Sequence, residues 1–186
     1  NFIDSADNAA ATNTTAGGDI GANGKKIGAI NIGSATKAGN LTTINGDAIF
    51  ASAITVTGGN VAAEDSSLDL HENIGDANDT VAIVLNDNAG DALLDIGTVS
   101  VIFGTIDGNS GTAGAGASTI DANAALTVED SIGSSDVVEA LDIGDTTTLK
   151  GAVNTITATT FTADNILNIS GAAAQTLTST ITATNE

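Results

Sequence analysis

The chain echoes itself, and that self-similarity limits its fold more than any other feature. Ala29-Ile-Asn-Ile-Gly33, Leu93-Leu-Asp-Ile-Gly97 and Ala140-Leu-Asp-Ile-Gly144 share one pattern, and Asp19-Ile20-Gly21 is a shorter copy. Thr43-Ile-Asn-Gly46, Thr105-Ile-Asp-Gly108 and Thr119-Ile-Asp-Ala122 share a second. A longer echo pairs Leu68-Asp-Leu-His-Glu-Asn-Ile-Gly75 with Leu126-Thr-Val-Glu-Asp-Ser-Ile-Gly133. Each unit reads as apolar residues turned inward, an Asn or Asp capping a bend, and a Gly at the corner. Units of about 20 residues cannot bury a face alone, but stack into a stable coil at roughly 4.8 Å per turn. About nine such coils would make a rod on the order of 40 Å long. The offsets between copies are unequal, so the repeat is degenerate.

The intervening segments read as strands. Ile27–Ile32, Ile54–Val56, Val81–Leu85, Val99–Phe103, Leu126–Val128 and Thr155–Ala158 are short alternating runs. Asn23-Gly24, Asn45-Gly46 and Asp107-Gly108 offer residues that tolerate positive φ at tight turns. Helix signals are sparse, and only Asp136–Leu141 reads as one or two helical turns. Hydrophobic residues make up 41% of the chain but aromatics only 2%, so its core must be layered from small aliphatic side chains. These features predict an all-β fold, a stacked β-solenoid ahead of a β-sandwich. The chain reads as one domain, 1–186, with Gly111–Ala117 as the place where two halves would divide.

The last strand raises the question of assembly. From Thr176 to Thr184 every even position is Thr, while Leu177, Ser179, Ile181 and Ala183 hold the odd ones. On a strand this puts hydroxyls on one face and a small apolar stripe on the other. Uncharged and β-branched, it must pair, either within its own subunit or by addition to a neighbour. Leu177, Ile181 and Ala183 are its anchors, and Phe2 and Ile3 would anchor a second element within Asn1–Thr15.

Charge excludes whole classes of partner. The chain has 23 acidic residues against four lysines, Lys25, Lys26, Lys37 and Lys150, for a formal charge of −19. Such a charge repels phosphate backbones and anionic membranes, so neither nucleic acid nor membrane insertion is expected. No apolar run of about 18 residues is present. With no Cys there is neither a disulfide framework nor a thiolate site. A start at Asn1 fits a processed mature protein or an excised fragment.

Candidate chemistry centres on oxygen ligands. Asp76, Asn78 and Thr80 alternate, Asn86 and Asn88 precede Asp91, and Asp107 and Asn109 crowd a further turn. Hard oxygens clustered at turns suit Ca²⁺, although the EF-hand pattern fails at Val81. No other cofactor is indicated. His71, the only histidine, stands beside Glu72 with no second His and no nucleophile motif, so it reads as a surface residue and no catalytic residue is assigned. Gly17–Gly24 lacks the Gly-Lys-[Ser/Thr] of a phosphate loop and reads as a turn. Thr155, Thr157 and Thr159, with the Thr176–Thr184 series, would form a hydroxyl array of the kind found in ice-binding solenoids. Asn13, Asn40, Asn78 and Asn168 match the glycan acceptor pattern.

Units such as Gly39-Asn-Leu-Thr-Thr-Ile-Asn-Gly46 and Ala92-Leu-Leu-Asp-Ile-Gly97, in a Gly-, Asn-, Thr- and Ala-rich chain, resemble repeat-rich bacterial surface proteins. The style is similar to passenger regions of autotransporters of the rickettsial outer-membrane type and to surface-layer proteins. That resemblance implies an exported β-solenoid or other β-rich surface structure, and no functional residue carries over from it. The expected protein is non-enzymatic, secreted or displayed at the cell surface. It would assemble from copies of itself into a filament or surface layer, or act as a calcium-stabilised adhesin on a host or neighbouring cell.

Overall fold

The computed structural model describes residues 11–15, 18–36, 40–45, 48–62, 64–98, 100–109, 116–162 and 164–184, with 11–15 and 40 by backbone alone. All its named elements are strands. β1 (Ala11–Thr15) is followed by four sets of three, one set per coil. These are β2 (Ile30–Gly33), β3 (Asn40–Ile44) and β4 (Ala48–Ile49); then β5 (Ala53–Thr57), β6 (Ser66–Leu70) and β7 (Asn73–Ile74). Next come β8 (Ala82–Asn86), β9 (Ala92–Ile96) and β10 (Ser100–Ile102); then β11 (Ile106–Gly108), β12 (Ser118–Ala122) and β13 (Leu126–Val128). Two shorter coils follow, β14 (Val138–Ile143) with β15 (Thr147–Leu149), and β16 (Val153–Phe161) with β17 (Leu167–Ile169). β18 (Thr176–Ala183) ends the series.

The coils stack into three parallel sheets, of eight strands (β1-β3-β6-β9-β12-β14-β16-β18), six strands (β17-β15-β13-β10-β7-β4) and four strands (β11-β8-β5-β2). This is a parallel β-solenoid. A sandwich does not form, because each strand pairs with its counterpart one coil away and not with a hairpin neighbour. Leu41, Ser67, Leu93 and Thr119 lie in one file, each 26 residues beyond the last. The coils then tighten, with Ala140 and Ala158 next in that file. There the four-stranded sheet dwindles to the single bridges Ile106↔Ile132 and Ile132↔Asn154. Because most coils exceed the expected 20 residues, the chain makes about six turns and not nine.

Alternation decides which residues form the core. β6, β9 and β12 each show buried residues at first, third and fifth positions. Leu68, Leu94, Ile120 and Leu141 form one fully buried file. Ile30, Ile54, Ile83, Ile106 and Ile132 form another, which ends on the buried Asn154. Asn154 is tolerated there because its Oδ1 accepts from Ile132 N (3.1 Å) and its Nδ2 donates to Gly151 O (3.0 Å). Aliphatic side chains of matched size stacked at coil spacing fill this interior without aromatic bulk.

Two local expectations are corrected. Asp136–Leu141 is not helical, since β14 takes Val138 onward, burying Val138 and Leu141 and pairing with β12. Stacking outweighs a weak helical preference. Asp107-Gly108 is not a turn but the end of β11, paired with Val84 and Leu85. By contrast Asn23-Gly24 does turn, with Gly24 at φ 69° and an antiparallel bridge between Ala22 and Lys25. Asn45-Gly46, Val99 and Gly111–Ala117 include positions outside the described residues, as do Phe2 and Ile3.

Candidate functional site

The outer face of the eight-stranded sheet carries a file of four aspartates. Asp69 pairs with Asp95, Asp95 with Asp121, and Asp121 with Asp142, between Thr43 on one side and Thr160 and Thr182 on the other. All four are half-buried, at the outward positions of β6, β9, β12 and β14. The sequence echoes had assigned these Asp residues to bends. They stand mid-strand instead, because 93–97 and 140–144 are the same face of the coil two turns apart, with Thr119–Ala122 between them.

Stacked carboxylates at ~4.8 Å Cα spacing repel one another by roughly 1 kcal/mol per neighbour in water and about 3 kcal/mol at an effective dielectric of 20. Local donors offset part of this. Thr43 Oγ1 donates to Asp69 Oδ2 (3.2 Å), and Asn123 Nδ2 donates to Asp95 Oδ1 (3.1 Å). His71 Nε2 lies 2.9 Å from Asp69 Oδ1. Gly97 leaves room for that imidazole, since a Cβ there would fall 2.6 Å from Nε2. Burial, then the charges of Asp95 and Asp142, push the Asp121 carboxyl above its usual range against the pull of Asn123. The file can take up protons or attract cations along its length. It is a line and not a cage: among the described residues no three acidic or His side chains converge as a metal-ligand set.

The calcium candidates occupy separate places. Asp76 Oδ1 accepts from Asn78 N (2.7 Å) and Asp79 N (2.9 Å), an Asx turn. The Ala22–Lys25 hairpin clasps this turn. Asn23 Nδ2 donates to Asp76, Gly24 N donates to Asp79, and Lys26 Nζ donates to Thr80 O (2.6 Å). Asn88 Nδ2 staples coils by donating to Ala35 O and Gly59 O, both at 3.0 Å. Asn109 Nδ2 donates to Asn86 Oδ1 (3.2 Å), bringing those two candidates together. Asp91 Oδ1 accepts from Ala117 N (2.7 Å), and Asp107 Oδ1 from Ser135 N (2.9 Å). Each of these carboxylates and amides already serves the turn or the stack.

Asp87 escaped sequence reasoning. Flanked by Asn86 and Asn88 it looks like one more loop residue, yet it is only 5% exposed, and its Oδ1 has no hydrogen-bond donor among the described residues. Burial first, then the charge of Glu139, push its carboxyl above the usual range. No local pattern in the sequence distinguishes it.

The second feature is the open end of the eight-stranded sheet. β18 pairs along one edge with β16 of its own chain, and no described strand pairs with its other edge. Ile181 is 57% exposed there, and Ile169, in the terminal strand β17 of the six-stranded sheet, is 45% exposed. A bulge between Thr155 and Ala158 breaks the Thr array, turning Thr159 into the core, where its Oγ1 meets Ser179 Oγ at 2.8 Å. The bulge opens a shallow groove of about 360 Å³ lined by Thr155, Thr157, Thr178 and Thr180. Comparison with protein-family models, curated proteins and solved structures finds no match to this chain. Among the described residues no helix is long and apolar enough to cross a membrane.

Proposed function

We propose that this chain is an extracellular, non-enzymatic structural protein that assembles into a filament or surface layer by β-strand addition at the end of its solenoid. The observation that supports this reading is the unprotected edge of β18. Natural edge strands are blunted by charge, proline or a covering loop. β18 has none of these among the described residues, and it leaves Ile181 uncovered. Addition to this edge extends the sheet and does not replace a strand, since the other edge of β18 is already held by β16. Electron microscopy of the purified chain before and after deletion of 176–186 tests the proposal. Assemblies that need the segment support it, and assemblies that persist unchanged without it refute strand addition.

A second reading, a calcium-stabilised adhesin, draws support from the aspartate file. It requires that millimolar Ca²⁺ raise the melting temperature and that excess chelator lower it. An unchanged transition in chelator removes it.

A further inference from the structure

Resting on the assembly reading above, we infer that the partner of β18 is β18 of a second copy, antiparallel and two-fold related, with Leu177 opposite Ile181 and Ser179 opposite itself. This contact closes on itself and joins solenoids in pairs, so a filament or layer is built from such pairs through a second contact elsewhere on the solenoid. Three independent features of the strand lead there.

The first is its main chain. Thr176 N donates to Ala152 O and Thr184 N to Phe161 O, so the even residues spend their main-chain groups on β16. The odd residues Leu177, Ser179 and Ile181 therefore turn their N–H and C=O to the free edge. An antiparallel neighbour centred on Ser179 pairs odd residues only with odd residues, which satisfies all these groups at once.

The second is its side-chain pattern. Read in either direction, 176–184 alternates Thr with a small or apolar residue. Under the two-fold, Thr178 faces Thr180 on the outside, and Leu177 faces Ile181 over the continuing core. Head-to-tail stacking on β1 gives no such match. By register, Asn13 occupies the file of Thr42, Leu68 and Leu94, to which Ile181 also belongs, and Thr15 occupies the file of Ile44 and Ala183. That arrangement would put the polar residues Asn13 and Thr15 in register with Ile181 and Ala183.

The third is charge. Two copies at −19 each repel, yet between Gly151 and Thr184 the only charged side chain is Asp164, in the loop after β16. Joining these two ends holds the aspartate files of both copies away from the contact.

The chain has no Cys, so engineered thiols report the register cleanly. Directly opposed strand residues lie ~5.5 Å apart at Cα, within disulfide reach. Ser179→Cys under mild oxidation should form a disulfide-linked dimer, whereas Ser52→Cys, exposed on an early coil, should not. Leu177→Cys and Ile181→Cys should each stay unlinked alone and cross-link when mixed, which keeps the test valid if Ser179→Cys fails to fold. By light scattering across concentration, the parent chain should reach dimer mass or higher, and Ile181→Lys should weaken association at least tenfold with an unchanged circular dichroism spectrum. Association without these cross-links overturns the two-fold register and leaves strand addition standing. A parent chain that stays monomeric at every concentration overturns both.

Discussion

Asp121 has an aspartate on either side along the solenoid axis, Asp95 and Asp142, and only Asn123 to relieve it. With its folded carboxyl held above the unfolded value, the folded chain binds more protons than the unfolded chain between those two values. Its contribution to stability is therefore complete below the unfolded pKa and is lost as pH rises through the folded one. Buried Asp87 carries the same sign. The melting temperature should accordingly rise as pH falls from neutrality toward the ordinary carboxylate range. Asp121→Asn should stabilise the chain at pH 7 by about 1 kcal/mol after solvent screening, and should flatten that pH dependence. A thermal melt series of the two proteins checks both outcomes, and a parent insensitive to pH in that window would contradict them. In the interior, Leu94→Ala should cost about 2–5 kcal/mol, read from the denaturant midpoint, because a rigid stack of coils collapses poorly into a cavity.

At the scale of elements, position in the coil determines what a pattern becomes. Ala29–Gly33 and Leu93–Gly97 look alike, yet the first lies on the four-stranded sheet and the second on the eight-stranded one. The longer echo misleads further, since Leu68 lies in the middle of β6 on one sheet and Leu126 opens β13 on another. Corners are stricter than strands. Gly133 has φ 63°, and a Cβ there would sit 2.1 Å from Thr155 O. Gly133→Ala should therefore cost at least about 2 kcal/mol by combining left-handed strain with a main-chain clash. Gly28, where a Cβ would meet nothing, is the control and should tolerate Ala within about 0.5 kcal/mol.

For the whole molecule, stability is a sum over coils and their interfaces, opposed by a charge of −19. Added salt screens repulsion between exposed carboxylates within a Debye length of ~10 Å at 0.1 M. Raising sodium chloride from low to moderate concentration should thus raise the melting temperature, and most of the gain should disappear in a variant with Asp95, Asp121 and Asp142 all changed to Asn. A gain that survives in that variant would place the dominant repulsion elsewhere on the surface.

By itself the sequence determined the class of structure. Alternating aliphatic residues, Gly and Asn punctuation and degenerate echoes allow little besides stacked short strands, because local periodicity and turn chemistry are written residue by residue. The Thr and Leu/Ile alternation of 176–184 was equally legible. Only the tertiary structure decided the register. It set the central coils at 26 residues where 20 was expected, drew 138–143 into a strand, and put four aspartates in one file rather than at four bends. It also buried Asp87 and left the far edge of β18 without a partner strand among the described residues. Those outcomes depend on which residues of different coils lie one above another. That alignment is set by how the aliphatic files fill the interior, a property of pairs distant in sequence that no single segment encodes.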